Sequence, residues 1–194
     1  MSKKETNISS ANKGLPFKGL GWDNVYFIGI GGIGMSALAK YFHANKKQIA
    51  GYDKTQTEIT DSLVALGIDI HFEDTVECID SNFLNPENTL VVYTPAIPKN
   101  HSELNYFQKH NFKILKRSEV LGLITENTFC LAVAGTHGKT TTTSVLGHLM
   151  NACNVPVTAF LGGISENYNS NLILNGTEVS VVEADEFDRS FLTL

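Results

Sequence analysis

Only three cysteines occur in 194 residues, and Cys78, Cys130 and Cys153 share no CxxC spacing. A disulfide framework and a zinc knuckle are both excluded, and buried free thiols in a reducing compartment are expected. No apolar run reaches 18 residues, which excludes a spanning helix. The opening "MSKKETNISSANKGLPFKGLGWD" lacks the apolar stretch of a signal peptide. Basic charge is also short: 15 Lys and Arg face 20 Asp and Glu, for a net charge of −5. Without a basic stripe to neutralise phosphates, a nucleic-acid partner is excluded as a class. The expectation is a soluble, cytoplasmic protein acting on small molecules, with neither membrane nor nucleic acid as partner. What is present is ordinary for a globular core, 42% apolar and 18% charged.

Strands and helices alternate after a polar tail at residues 1–21. "NVYFIGI" is a β-branched and aromatic run, and "GMSALAKYFHA" places Met35, Leu38, Ala39 and Phe42 at helical spacing. "KQIAGYD", "IDIHF", "TLVVYT" and "FKILK" read as further strands, and "HSELNYFQKHN" and "SEVLGLIT" as helices. "EITDSLVALG" is a helix with Ile59, Leu63 and Leu66 on one face, closed by Gly67. Such alternation implies an α/β fold with a Rossmann-like, doubly wound, mostly parallel sheet over residues 22–126. From residue 127 the pattern restarts: strand "FCLAVAG", a glycine turn, helix "TTTTSVLGHLMNA", strand "VTAFLGG", a polar loop "SENYNSN" and strand "VSVVEADE". This is expected to be the start of an ATP-binding domain, cut short where the sequence stops inside "SFLTL".

Two glycine loops carry the chemistry. In "GIGGIG", Gly29, Gly31 and Gly34 take the GxGxxG spacing between a strand and a helix. The first glycine suits a tight turn, the second a close approach to phosphate, and the third helix-on-strand packing. Asp53 ends the second strand 19 residues after Gly34, where a ribose hydroxyl is read. The spacing leaves NAD, FAD and a nucleotide sugar open.

The second loop, "GTHGKTTTT", is two residues shorter than GxxxxGK[ST] but keeps its working parts. A strand enters a turn whose N–H groups face a helix start, Lys139 reaches β/γ-phosphates, and Thr140 ligates Mg²⁺. The acid cluster Glu183, Asp185, Glu186 and Asp188 follows an apolar strand, and Glu183 at the strand tip is the expected metal ligand. His137 lies inside the loop. His43, His101, His110 and His148 are expected at the surface.

Together "GIGGIGMSALA", "TPAIPKNHSEL", "KRSEVLG", "AVAGTHGKTTTTS", "FLGG" and "VEADEFDRSF" resemble the Mur ligases of peptidoglycan synthesis. The resemblance spans residues 22–194 and implies an ATP- and Mg²⁺-dependent ligase with UDP-N-acetylmuramate and L-alanine as substrates. ATP would phosphorylate the muramate carboxylate, and the amine of L-alanine would then displace phosphate as an amide forms. The resemblance implies catalytic roles for Lys139, Glu183 and His137. It places ATP on Gly135, Thr136, His137, Gly138, Lys139, Thr140 and Thr141, with Mg²⁺ on Thr140 and Glu183. It places the UDP-sugar on Gly29, Gly31, Gly32, Ile33, Gly34, Ser36, Asp53, His71, Thr94, Pro95, Ala96 and Arg117. Two departures stand out: "YTPAI" replaces a Ser-rich "SSAI", and Phe187 replaces a Ser of "EADESD". The alternatives are a peptide-recycling ligase of the same family, an NAD(P)-dependent oxidoreductase built on the first loop, and a non-catalytic nucleotide-sugar module. The 194 residues alone are expected to be inactive in amide formation.

Overall fold

A computed structural model of the chain describes residues 21–184. Asp185, Glu186, Phe187, Asp188 and Arg189 lie outside the described residues, as does the tail up to residue 20.

Five strands form the first sheet: β1 (Asn24–Ile28), β2 (Gln48–Tyr52), β3 (Asp69–His71), β4 (Thr89–Tyr93) and β5 (Lys113–Lys116). They run parallel in the order β3-β2-β1-β4-β5. This is the expected Rossmann-like arrangement, with β1 central and a topological switch between β1 and β4. Every residue of β1 is buried, because helices cover both faces. Alternation along β1 sorts the core. Val25 and Phe27 pack with α1 (Ile33–Ala44) and α4 (Arg117–Thr125), and Tyr26 and Ile28 with α3 (Ser102–Lys109).

The second sheet holds β6 (Phe129–Val133), β7 (Val157–Ser165), β8 (Ser170–Leu174) and β9 (Val179–Glu183), in the order β6-β9-β7-β8. β6, β9 and β7 are parallel, and α5 (Lys139–Ala152) follows β6. β8 is the addition. The polar stretch expected as a loop turns tightly, and the chain returns antiparallel to β7 over Ser170–Leu174. Asn171, Leu172 and Ile173 are buried there.

One apolar cluster joins the two sheets. Phe160, Leu172 and Val182 belong to the same apolar cluster as Phe27, Leu38, Tyr41 and Leu121. Two local expectations also change. The helix over residues 58–67 is shorter: α2 (Glu58–Val64) ends early and leaves Leu66 exposed, although Gly67 does take a positive φ of 86°. Cys153 is exposed and Cys78 and Cys130 only half-buried, all three with free thiols.

Candidate functional site

Strand register builds the first half of the site. Ile28 pairs with Tyr52 on one side and Tyr93 on the other, so Gly29, Asp53 and Thr94 stand one step beyond the sheet edge. The chain turns at Gly29 with φ +87°, as its place in the motif requires. The Gly31 N–H, expected to face a diphosphate, donates to Asp53 Oδ2 at 2.7 Å, which locks the loop onto the second strand. A Cβ on Gly34 would meet the Arg117 guanidinium at 2.8 Å, so this glycine admits a cation from α4 rather than packing on a strand. No acidic residue stands in the first turn of α1, which leaves its positive end open to an anion.

The second half comes from β6, β9 and β7. Val133 pairs with Glu183, so the glycine loop after β6 leaves the sheet beside that carboxylate. Gly138 caps α5 in the left-handed conformation, φ +78°, and Lys139 Nζ donates to the Gly135 carbonyl at 2.8 Å. Thr140 Oγ1 donates to Glu183 Oε2 at 3.2 Å, while Glu183 Oε1 accepts from the Gly162 N–H at 2.8 Å. A hydroxyl and a carboxylate held together form an all-oxygen donor pair of the kind a hard divalent cation takes.

Both halves open into one cavity of about 1120 Å³. Gly29, Gly31, Gly32, Ile33, Gly34, Asp53, Thr94, Ala96 and Arg117 line it together with Lys139, Thr140 and Glu183. Gly135, Thr136, His137, Gly138 and Thr141 are exposed and stand outside this lining.

Three expected contacts fall elsewhere. His71 is level with Tyr52 in the last paired row, and its side chain faces the α3 side of the sheet. There Nε2 lies 2.7 Å from the Tyr26 hydroxyl and 3.3 Å from Glu103 Oε1, and Nδ1 lies 3.0 Å from the Glu73 carbonyl. Ser36 is fully buried, with its hydroxyl donating to the Ile33 carbonyl and accepting from Asn171. Pro95 is exposed between Thr94 and Ala96 and does not line the cavity.

Among the lining residues that were not anticipated, two bear on the site's chemistry. His101, expected at the surface, is 3% exposed; its ring lies 3.2 Å from Asp74 Oδ1 and meets Tyr52 edge-on at 4.6 Å. Burial lowers its pKa. Its place in the loop that leaves the carboxyl end of β4 is the signal that could have found it. Gly162, in the quoted "FLGG", is the other: a Cβ there would sit 2.6 Å from Glu183 Oε1. Gly162→Ala is therefore expected to displace the carboxylate, and a divalent cation held by the Thr140–Glu183 pair would bind about 10- to 100-fold more weakly. Calorimetric titration of both proteins with Mg²⁺ would check this.

Beneath the crevice lies a buried triad. The Tyr26 hydroxyl stands 2.7 Å from His71 Nε2 and 2.9 Å from Glu103 Oε2, and one hydrogen satisfies only one of these contacts. A ring hydrogen on His71 Nε2 or a proton on Glu103 completes the other. Burial pushes Glu103 up to about 8 and pushes His71 below its usual value, so it favours the neutral form of each.

A doubly wound parallel sheet with a phosphate-type loop beside it defines a nucleotide-binding α/β protein. Residues 24–128 match the family described as "Mur ligase family, catalytic domain", and the chain belongs to the Mur ligase family. It is 63% identical over 172 residues to a Flavobacterium johnsoniae protein named UDP-N-acetylmuramate–L-alanine ligase, and 47% identical over 175 residues to a Cytophaga hutchinsonii protein of the same name. These alignments cover 89% and 88% of the chain, and the chain spans 38% of the length of each relative. The solved UDP-N-acetylmuramate–alanine ligase of Thermotoga maritima is 32% identical with a TM-score of 0.72, over 82% of this chain and 37% of that one. A Neisseria UDP-N-acetylmuramate:tripeptide ligase, at 24% identity and a TM-score of 0.76, shares the fold over 87% of this chain and 54% of its own. Among the described residues no helix is long and apolar enough to cross a membrane.

Proposed function

We propose that the whole protein joins L-alanine to the carboxylate of UDP-N-acetylmuramate in peptidoglycan precursor synthesis, in the cytoplasm, with ATP and Mg²⁺. The observation that carries this reading is the one cavity lined both by the first glycine loop and by Lys139, Thr140 and Glu183 beside the second. Residues 22–126 would form the UDP-sugar domain, and residues 127–194 the first part of the ATP-binding domain.

The end of α1 and Arg117 would hold the diphosphate, and Asp53, Thr94 and Ala96 the nucleoside end. Gly135 to Thr141 would wrap the triphosphate. Mg²⁺ would neutralise charge on the transferring phosphoryl group. Thr140 and Glu183 would ligate it, with Gly162 holding the carboxylate in place. Lys139 would draw negative charge off the phosphoryl group as the muramate carboxylate attacks it and ADP leaves. His137 is exposed on the same loop and would meet the nucleotide from outside the cavity lining. L-alanine would then attack the acyl phosphate, forming the amide and releasing phosphate.

A dehydrogenase reading explains only the first loop and leaves Lys139, Thr140 and Glu183 on the same cavity without a task. Titration of the chain with UDP-N-acetylmuramate and with NADH separates the two readings. Saturable binding of the UDP-sugar is expected, and tight NADH binding with no response to the UDP-sugar would sink the ligase reading.

A further inference from the structure

We propose that Asn171 is a positioning residue that keeps the two glycine loops in register for transfer between their ligands. This rests on the reading above, in which both loops serve one reaction. Asn171 lies on β8, fully buried, and its amide is held from three directions. Nδ2 donates to the Ile33 carbonyl at 2.6 Å and to Ser36 Oγ at 2.8 Å, while Oδ1 accepts from Lys40 Nζ at 3.0 Å. Two acceptors on one side and an ammonium donor on the other fix the amide in a single orientation.

All three partners belong to α1, the helix that begins at the first glycine loop. On its other side Asn171 is tied to the second loop. Its neighbour Leu172 pairs with Phe160 on β7, and two residues further along β7 the Gly162 N–H holds Glu183, which in turn accepts from Thr140. The path from Ile33 to Thr140 therefore runs through hydrogen bonds and paired backbone.

Apolar contacts also join α1 to this sheet, as where the Tyr41 and Phe160 rings meet at 5.5 Å. Such contacts attract without direction. The Asn171 bonds carry direction. Lys40 is half-buried, and burial lowers its pKa, so the acceptor it finds on Asn171 is one the interior must supply. A shift of about 1 Å between reacting groups costs on the order of 10²-fold in rate.

The test uses Asn171→Ala and Asn171→Asp in the whole protein, with three measurements on each. They are the separate Kd values of UDP-N-acetylmuramate and Mg²⁺–ATP by calorimetry, kcat for alanine-dependent phosphate release, and Tm. The expected result is a kcat lowered by about 10²-fold with both Kd values near wild type. Asp keeps the size and the Lys40 contact but cannot donate to Ile33, so it should fall with Ala. Unchanged kcat, or a fall matched by lost affinity for one ligand, overturns the proposal. If both variants fail to fold, Ser36→Ala removes one acceptor without opening the core; an intermediate fall in kcat supports the proposal and a wild-type kcat overturns it. A wild-type protein that binds neither ligand refutes the functional reading itself, and the proposal with it.

Discussion

Lys139→Met is expected to lower alanine-dependent phosphate release by about 10²- to 10³-fold in the whole protein, while UDP-N-acetylmuramate binds as before. Lys139 is the first residue of α5 and follows the left-handed Gly138. Its ammonium rests on the Gly135 carbonyl, directly over the turn where phosphate oxygens would lie. Methionine keeps the length and apolar stem but loses the charge. Charge that develops on a transferring phosphoryl group then has no cation in the loop to meet it. The first loop follows a strand of the other sheet, so its ligand is expected to be spared. Steady-state kinetics beside calorimetry checks both halves, and a variant that keeps its rate would remove Lys139 from the chemistry.

Wild-type stability is expected to fall between pH 6.5 and 8, and Glu103→Gln is expected to flatten that fall. Glu103 is fully buried and carries its proton up to about pH 8, because burial disfavours the carboxylate. In the unfolded chain a glutamate releases its proton near pH 4.3. Between those values the native state binds a proton that the unfolded state lacks, so stability is lost as pH rises through the native pKa. Each pKa unit is worth about 1.4 kcal/mol, so the fall from pH 6.5 to the native pKa comes to about 2 kcal/mol. His71 works in the opposite direction. Its lowered pKa removes stability as pH falls below about 6.5, outside the chosen window. Gln keeps the shape of the protonated acid and does not titrate. Urea melts of both proteins at several pH values decide the matter; parallel slopes would refute it.

Much of the site was legible because its parts are local. Gly29 through Gly34, and Gly135 through Thr140, are contiguous, and their chemistry follows from a strand entering a turn and a helix leaving it. Glu183 was legible as the end of an apolar strand. His71 was misplaced for a reason of register. A strand of three residues cannot reveal whether its last member lies inside the paired rows or beyond them, and pairing with Tyr52 put it inside. His101 was misplaced because burial of a polar ring depends on Asp74 and Tyr52, which come from distant segments. β8 was missed because Ser170 and Asn171 read as loop. Asn171 is instead buried against α1, where its amide finds partners more than 130 positions away in sequence.

The sequence by itself determined the α/β class, the order of the first sheet's elements, the two phosphate-type loops and the acid beside the second. Those features depend on residue type and short spacing, which a chain carries whether folded or not. Only the tertiary structure decided that the first loop and Lys139, Thr140 and Glu183 face one cavity, that Gly162 and Asn171 hold its far side in place, and that Tyr26, His71 and Glu103 form a hydrogen-bonded group beneath it. Each of these depends on sheet register and on the contact of α1 with β7 and β8, and packing across the fold sets such distances.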